Sequence, residues 1–224
     1  MKNGFVHICF IIDSSGSMFG SIEEVKKGYA TTIEQQLAIT DGECAISMYT
    51  FAGGVKKELL GVDVKDAPKE IQYYPNGSTS LFDAIGTAIT DLDALYNGVP
   101  EEAKPEKMMI IIMTDGEENS SHIYTGAAVK EMIESHEKQD WSFMYLGAEV
   151  LNFEDAHTLG ISHMGVTSRD NINDYYVMVN SLAADMRDTS RSYLAKNAIY
   201  NETLESNIDA INAEYTTTTG TTIN

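Results

Sequence analysis

The sequence predicts an α/β domain built on a central, mostly parallel sheet with helices on both faces. Two observations predict it. Strand-like and helix-like segments alternate along most of the chain, and the strand-like segments are near-continuous apolar runs. A strand that is apolar at every position is buried on both faces, and such strands belong to parallel sheets covered by their crossover helices. The length of 224 residues suits one sizeable domain with an appendage, which we place at residues 1–195 and 196–224.

The first run, Phe5–Ile12, is β-rich and apolar throughout. Ser21 and Glu24 have the spacing of a capping box and open a helix through Val25, Tyr29, Ile33 and Leu37 that ends near Gly42. Cys44–Ala52 reads as the second strand. Val55–Val64 reads as the third, antiparallel after a Gly53-Gly54 turn. Asp66–Ile71 is expected to be a helical turn, and Pro75-Asn76-Gly77 is turn chemistry. A helix follows with apolar positions Leu81, Ile85, Ala88, Ile89, Leu92 and Leu95, its start suggesting a Ser80–Asp83 capping pair. After a charged loop from Pro100 to Lys107 comes Met108–Met113, the most apolar strand of the chain. Helix Thr125–Gln139, strand Trp141–Gly147, a short helix at Glu154–Leu159 and a weak strand Ser162–Val166 complete the alternation.

From Asn171 onward the pattern is helical. Ile172, Tyr175, Val179, Leu182 and Met186 fall at spacings of three and four, and a second stretch continues through Tyr200, Leu204, Ile208, Ile211 and Tyr215. This late stripe packs back on the body, serves self-association or a partner, or belongs to a partly disordered helix. The end, Thr216–Asn224, is low in complexity and is expected to be unstructured.

Composition narrows the function. Apolar residues make up 43% and charged residues 22%, an ordinary globular balance that excludes disorder. Against 34 acidic residues stand 15 basic ones, for a net charge of −19, which argues against nucleic acid and anionic membranes as partners. The opening apolar run is too short to span a membrane and lacks a cleavage site, so the expected location is cytoplasmic. The two cysteines, Cys9 and Cys44, lie in strand-like runs and read as buried thiols. The five histidines form neither an HExxH pair nor a cluster with cysteine, which excludes a recognisable zinc site.

Three segments fall at strand ends or the turns beside them: Asp13-Ser14-Ser15-Gly16-Ser17, Gly77-Ser78-Thr79-Ser80 and Thr114-Asp115-Gly116-Glu117. In open parallel sheets, ligands bind outside the carboxyl ends of the strands. Hydroxyls from Ser15, Ser17 and Thr79 and carboxylates from Asp13 and Asp115 are all hard oxygen donors, suited to Mg2+, Mn2+ or Ca2+. Two carboxylates balance one divalent cation. The neutral hydroxyls are weak donors, so the ion stays electrophilic and leaves room for an outside oxygen, most plausibly a partner's carboxylate. Met18, Phe19, Ser78, Glu117 and Asn119 are candidate rim residues for partner contact.

Asp-x-Ser-x-Ser, a distant threonine before a helix, and Thr-Asp-Gly after an apolar strand resemble the von Willebrand factor type A (VWA) domain and its metal-ion-dependent adhesion site. The stretches GSTSLFDAI and MTDGEENSS are similar to bacterial and phage-encoded members, and the resemblance covers about residues 4–190. It implies a Rossmann-like fold with a six-stranded, mostly parallel sheet and one antiparallel edge strand. It also implies metal ligation by Ser15, Ser17 and Thr79, with Asp13 and Asp115 acting directly or through water. The chain departs from the family in its extension after about residue 195, and it lacks the disulfides of extracellular adhesive members.

The expected function is a divalent-metal-dependent protein-binding module whose metal is completed by a partner carboxylate. Two alternatives come from other classes. One is an assembly protein that oligomerises through its late helix. The other is a Mg2+-dependent phosphoryl-transfer enzyme, disfavoured because Ser15 stands where a dehalogenase-type phosphatase needs an aspartate, and because neither a Walker lysine loop nor a G-x-S-x-G serine is present.

Overall fold

The computed structural model describes residues 1–147, 153–166 and 172–220. A six-stranded sheet runs in the order β3-β2-β1-β4-β5-β6. Its strands are β1 (Lys2–Asp13), β2 (Glu43–Phe51), β3 (Val55–Asp63), β4 (Pro105–Thr114), β5 (Trp141–Gly147) and β6 (His163–Val166). All neighbours pair in parallel except β3, which returns antiparallel along β2. Helices α1 (Ile22–Ala38), α5 (Ile172–Arg187) and α6 (Tyr193–Thr219) supply the core on one face; α2 (Leu81–Tyr96), α3 (Gly126–Glu137) and α4 (Phe153–Leu159) supply it on the other.

The pleat explains why the central strands are apolar throughout. In β1, Val6, Ile8, Phe10 and Ile12 point into the α1/α5/α6 layer, while Cys9 and Ile11 point into the α2/α3 layer. β4 repeats the pattern, with Met109, Ile111 and Met113 on the first side and Met108, Ile110 and Ile112 on the second. Both cysteines are buried free thiols, and burial pushes the Cys44 thiol up to about 12. Helices α1 and α5 cross so closely at Gly28 that a Cβ there would stand 2.0 Å from the Tyr176 ring.

Several sequence expectations are corrected. Ser21 and Ser80 occupy N-cap positions but neither side chain caps its helix. A 3-10 turn (Gly16–Ser21) leads into α1, so Ser21 lacks the extended backbone that aims a capping oxygen at the helix. Ser80 instead donates to the Ala52 carbonyl at 2.6 Å, and Asp83 accepts from the backbone of His122, Ile123 and Tyr124. The turn expected at Asp66–Ile71 falls earlier, closed by Ala67 N–H on the Asp63 carbonyl. Strand β4 starts at Pro105, because Glu106 and Lys107 are drawn into the interior by α6.

The long C-terminal helical pattern is two helices, parted where Asp188 accepts from the backbone and hydroxyl of Ser190 and pairs with Arg191. Ser192 then caps α6 through the Ala195 N–H. Asn171 and residues 221–224 lie outside the described residues, whereas Thr216–Thr219, expected to be unstructured, continue α6 to its left-handed cap at Gly220. The apolar stripe Tyr200, Leu204, Ile208 and Ile211 is buried against the body. Lys196, fully buried, bonds to Glu106, Asn3 Oδ1 and the Met186 carbonyl. At the other end of α6, the Asn212 amide accepts from Val166 N–H at 2.8 Å and donates to the Met164 carbonyl at 3.1 Å, satisfying backbone groups of β6. Among the described residues, no helix is long and apolar enough to cross a membrane.

Candidate metal centre

The sheet order places a crevice between β1 and β4. The chain leaves β1 for β2 on one side and leaves β4 for β5 on the other, so the two crossovers diverge at this point. Asp13 ends β1 and Asp115 follows the last residue of β4, which brings the two carboxylates to the mouth of that crevice. Thr114 Oγ1 donates to Asp13 Oδ2 at 2.7 Å, joining the two strand ends directly.

Ser15 and Ser17 lie on the loop after β1. Ser15 N–H donates to Asp13 Oδ1 at 2.6 Å, the two serine hydroxyls stand 2.9 Å apart, and Ser17 Oγ donates to Asp115 Oδ1 at 2.5 Å. Ser14 points the other way, its hydroxyl donating to the Phe51 carbonyl, as alternation requires. Thr79 arrives from the loop before α2. Its backbone is held from both sides by Asn119: the Thr79 N–H donates to Asn119 Oδ1 at 2.9 Å, and the Asn119 N–H donates to the Thr79 carbonyl at 3.0 Å.

Gly116 shows how closely these groups converge. A Cβ built there would meet Thr79 Oγ1 at 2.8 Å, Asp13 Oδ2 at 3.4 Å and Ser15 Oγ at 3.7 Å. Three oxygens from two separate segments, the end of β1 and the loop before α2, therefore surround one point on the loop after β4, and Ser17 and Asp115 are tied to that group by the bonds above. Any side chain at position 116 would fill the cradle.

Electrostatically the site calls for positive charge. Asp13 is fully buried, and burial, with a smaller contribution from the Asp115 charge, pushes its carboxyl up to about 6 despite hydrogen bonds from Thr114 and Ser15. Ser15, Thr79 and Asp115 are buried as well, while Ser17 stays exposed, so the constellation faces solvent on one side only. An all-oxygen donor set with two carboxylates fits a hard divalent cation.

Phe19 is 72% exposed, and Ser78, Glu117 and Asn119 are also exposed. Met18 is not a rim residue: the 3-10 turn directs it inward, where it is 2% exposed and packs in the α1/α5 core. Three further residues support the site. Thr114 bridges to Asp13. Tyr73 donates to the Asp13 carbonyl at 2.5 Å. Glu118 organises the third loop, accepting from the backbone of Ser120, Ser121 and Phe82. The position of Thr114 at a strand end hints at its role; Tyr73 depends on a long-range contact, and Glu118 combines local bonds from Ser120 and Ser121 with a long-range one from Phe82.

A cavity of about 690 Å3 opens at the opposite end of the sheet, beside Tyr96, Pro105 and Trp141, and none of the five converging residues lines it.

The sequence matches the von Willebrand factor type A domain family over residues 7–190, and the chain belongs to that family. Its fold is shared with solved structures at low identity. It is similar to proximal thread matrix protein 1 from the mussel byssus, described with a zinc-occupied MIDAS motif (16% identity, TM-score 0.57, 81% of this chain and 46% of that one). A von Willebrand factor type A protein from Catenulispora acidiphila is similar at 17% identity and TM-score 0.58, over 82% of this chain and 43% of that one. Manganese-loaded TRAP protein from Plasmodium vivax is similar at 16% identity and TM-score 0.52, over 76% and 71%. The chain thus spans under half the length of the first two. Among curated proteins none matches the chain.

Proposed function

We propose that this protein is a metal-dependent protein-binding module. Asp13, Ser15, Ser17, Thr79 and Asp115 would hold one divalent cation, Mg2+ with Mn2+ or Ca2+ as alternatives, and a carboxylate of the partner would complete its coordination. The observation that carries this reading is the convergence of the five oxygen-bearing side chains from three loops at the β1/β4 crevice. When bound, the cation supplies an electrophilic position for an outside anionic oxygen. The chain's own residues do the rest. Thr114 and the Ser15 N–H fix the Asp13 carboxylate, Asn119 fixes Thr79, and Gly116 leaves the space open. The metal-loaded structures of the mussel and Plasmodium relatives support the reading by analogy.

We favour binding over catalysis because the five converging side chains are hydroxyls and carboxylates, with no histidine or lysine among them to activate a serine. An assembly role through the late helix gains no support from its apolar stripe, which is buried within the chain. The direct test is affinity capture from the native host, comparing wild type with Asp115→Ala in Mg2+ and in chelator. A partner retained only by wild type in Mg2+ is the expected result; identical captures in all four samples would refute the reading.

A further inference from the structure

The rim around the candidate metal centre is chemically lopsided. Phe19, Tyr74 and Ile123 are 72%, 74% and 76% exposed, three of the four large apolar or aromatic side chains more than 70% exposed among the described residues, and each sits on one of the three loops that carry the site. Single exposed apolar residues are ordinary, but their concentration around one site marks a contact surface. Phe19 and Tyr74 belong to loops fastened together by Asn76 N–H on the Ser14 carbonyl and Gly16 N–H on the Gly77 carbonyl. Tyr74 lies beside α1, with the Lys26 ammonium 5.7 Å from its ring centroid.

Another stretch of the rim is acidic. Glu118 N–H donates to Asp155 Oδ2 at 2.8 Å, which fastens the loop after β4 to α4. Exposed Glu117 and Glu154 stand next to that contact in sequence, and Asp155 is held above the usual carboxylate range by burial and then by the charges of Glu118, Glu117 and Glu154. No lysine or arginine occurs between Lys107 and Lys130, or between Lys138 and Arg169, so neither the loop after β4 nor α4 carries one. A partner carboxylate approaching this side meets repulsion unless the partner brings positive charge with it.

We propose that the partner segment seated on this rim carries its acidic residue beside a bulky apolar side chain and within a few residues of lysine or arginine. This rests on the reading of the site as a metal centre completed by a carboxylate. The apolar side chain would lie against Phe19 and Tyr74, and the basic residues would face Glu117 and Glu154.

The test uses the whole chain in MgCl2 and capped heptapeptides of the form Gly-Lys-Phe-Glu-Gly-Lys-Gly. Controls replace both lysines by glutamate, the phenylalanine by alanine, or the central glutamate by glutamine. Calorimetric Mg2+ affinity is read in parallel for every variant. The lysine peptide is expected to bind about tenfold tighter than its glutamate counterpart at low salt, with the difference shrinking at about 0.5 M salt. Glu117→Lys combined with Glu154→Lys should abolish or reverse that preference, and Phe19→Ala should weaken only the phenylalanine-containing peptides. Equal affinity of the lysine and glutamate peptides, or indifference to the double charge reversal, overturns the inference while leaving the metal reading intact. Equal binding of the glutamine peptide, or no peptide binding to Mg2+-loaded protein, overturns the underlying reading and the inference with it.

Discussion

At the scale of single residues, the candidate site depends on pre-positioning rather than on the donors alone. Asn119 holds Thr79 through both the backbone N–H and the carbonyl of Thr79. Asn119→Ala should therefore weaken Mg2+ binding by about tenfold, the size expected of residues that orient ligands. Titration calorimetry would show this, and an unchanged affinity would mean that Thr79 is held by other contacts. Gly116→Ala should have a larger effect, because its methyl would stand 2.8 Å from Thr79 Oγ1. The five converging side chains were legible in the sequence because their spacing is short within each loop and each loop follows a recognisable strand or turn. Tyr73 was not legible, since its partner Asp13 lies far away along the chain. Met18 was misplaced for a related reason. Next to Ser17 it looks like surface, and only the 3-10 turn rotates it into the core.

Among the elements, α6 is the one whose role the sequence left open. The structure packs it against α5 and β6 through a buried stripe and gives it a polar fastening at each end. Removing one partner of a buried ion pair leaves an uncompensated charge, so Lys196→Met should cost about 3–5 kcal/mol through the stranded Glu106. Denaturant unfolding would measure it, and a change below about 1 kcal/mol would show that water reaches Glu106. Lys107 makes a second prediction. Its ammonium lies 4.5 Å from the Tyr200 ring centroid, and burial lowers its pKa to about 8, opposed by the Asp140 charge. Between pH 8 and the unfolded value near 10.5 the folded state binds fewer protons than the unfolded one, so stability should rise with pH there by up to about 1.4 kcal/mol per unit. Lys107→Met should flatten that rise, and an unaltered slope would assign it to another group. Sequence alone read Glu106 and Lys107 as loop because charged residues rarely enter a strand interior; α6, distant in sequence, makes their burial tolerable.

For the whole molecule, the fold places its function through topology. Diverging crossovers from β1 and β4 open one crevice at the carboxyl end of the sheet; the apolar runs imply a mostly parallel, covered sheet but not this strand order. A net charge of −19 adds a general attraction for cations that salt screens, whereas the candidate centre is a local, stoichiometric one. The two are separable by thermal unfolding. Mg2+ at about a hundredfold over its dissociation constant should stabilise the folded chain by about 2.7 kcal/mol if it binds one native site. An equal ionic strength of NaCl should not reproduce the shift. The measurement that bears most directly on the account is titration calorimetry of the purified chain with MgCl2, MnCl2 and CaCl2, repeated on Asp115→Ala. Saturable uptake of one ion per chain, lost in the variant, is the predicted result. No uptake of any of the three ions at millimolar concentration, or uptake that survives the loss of Asp115, would contradict it.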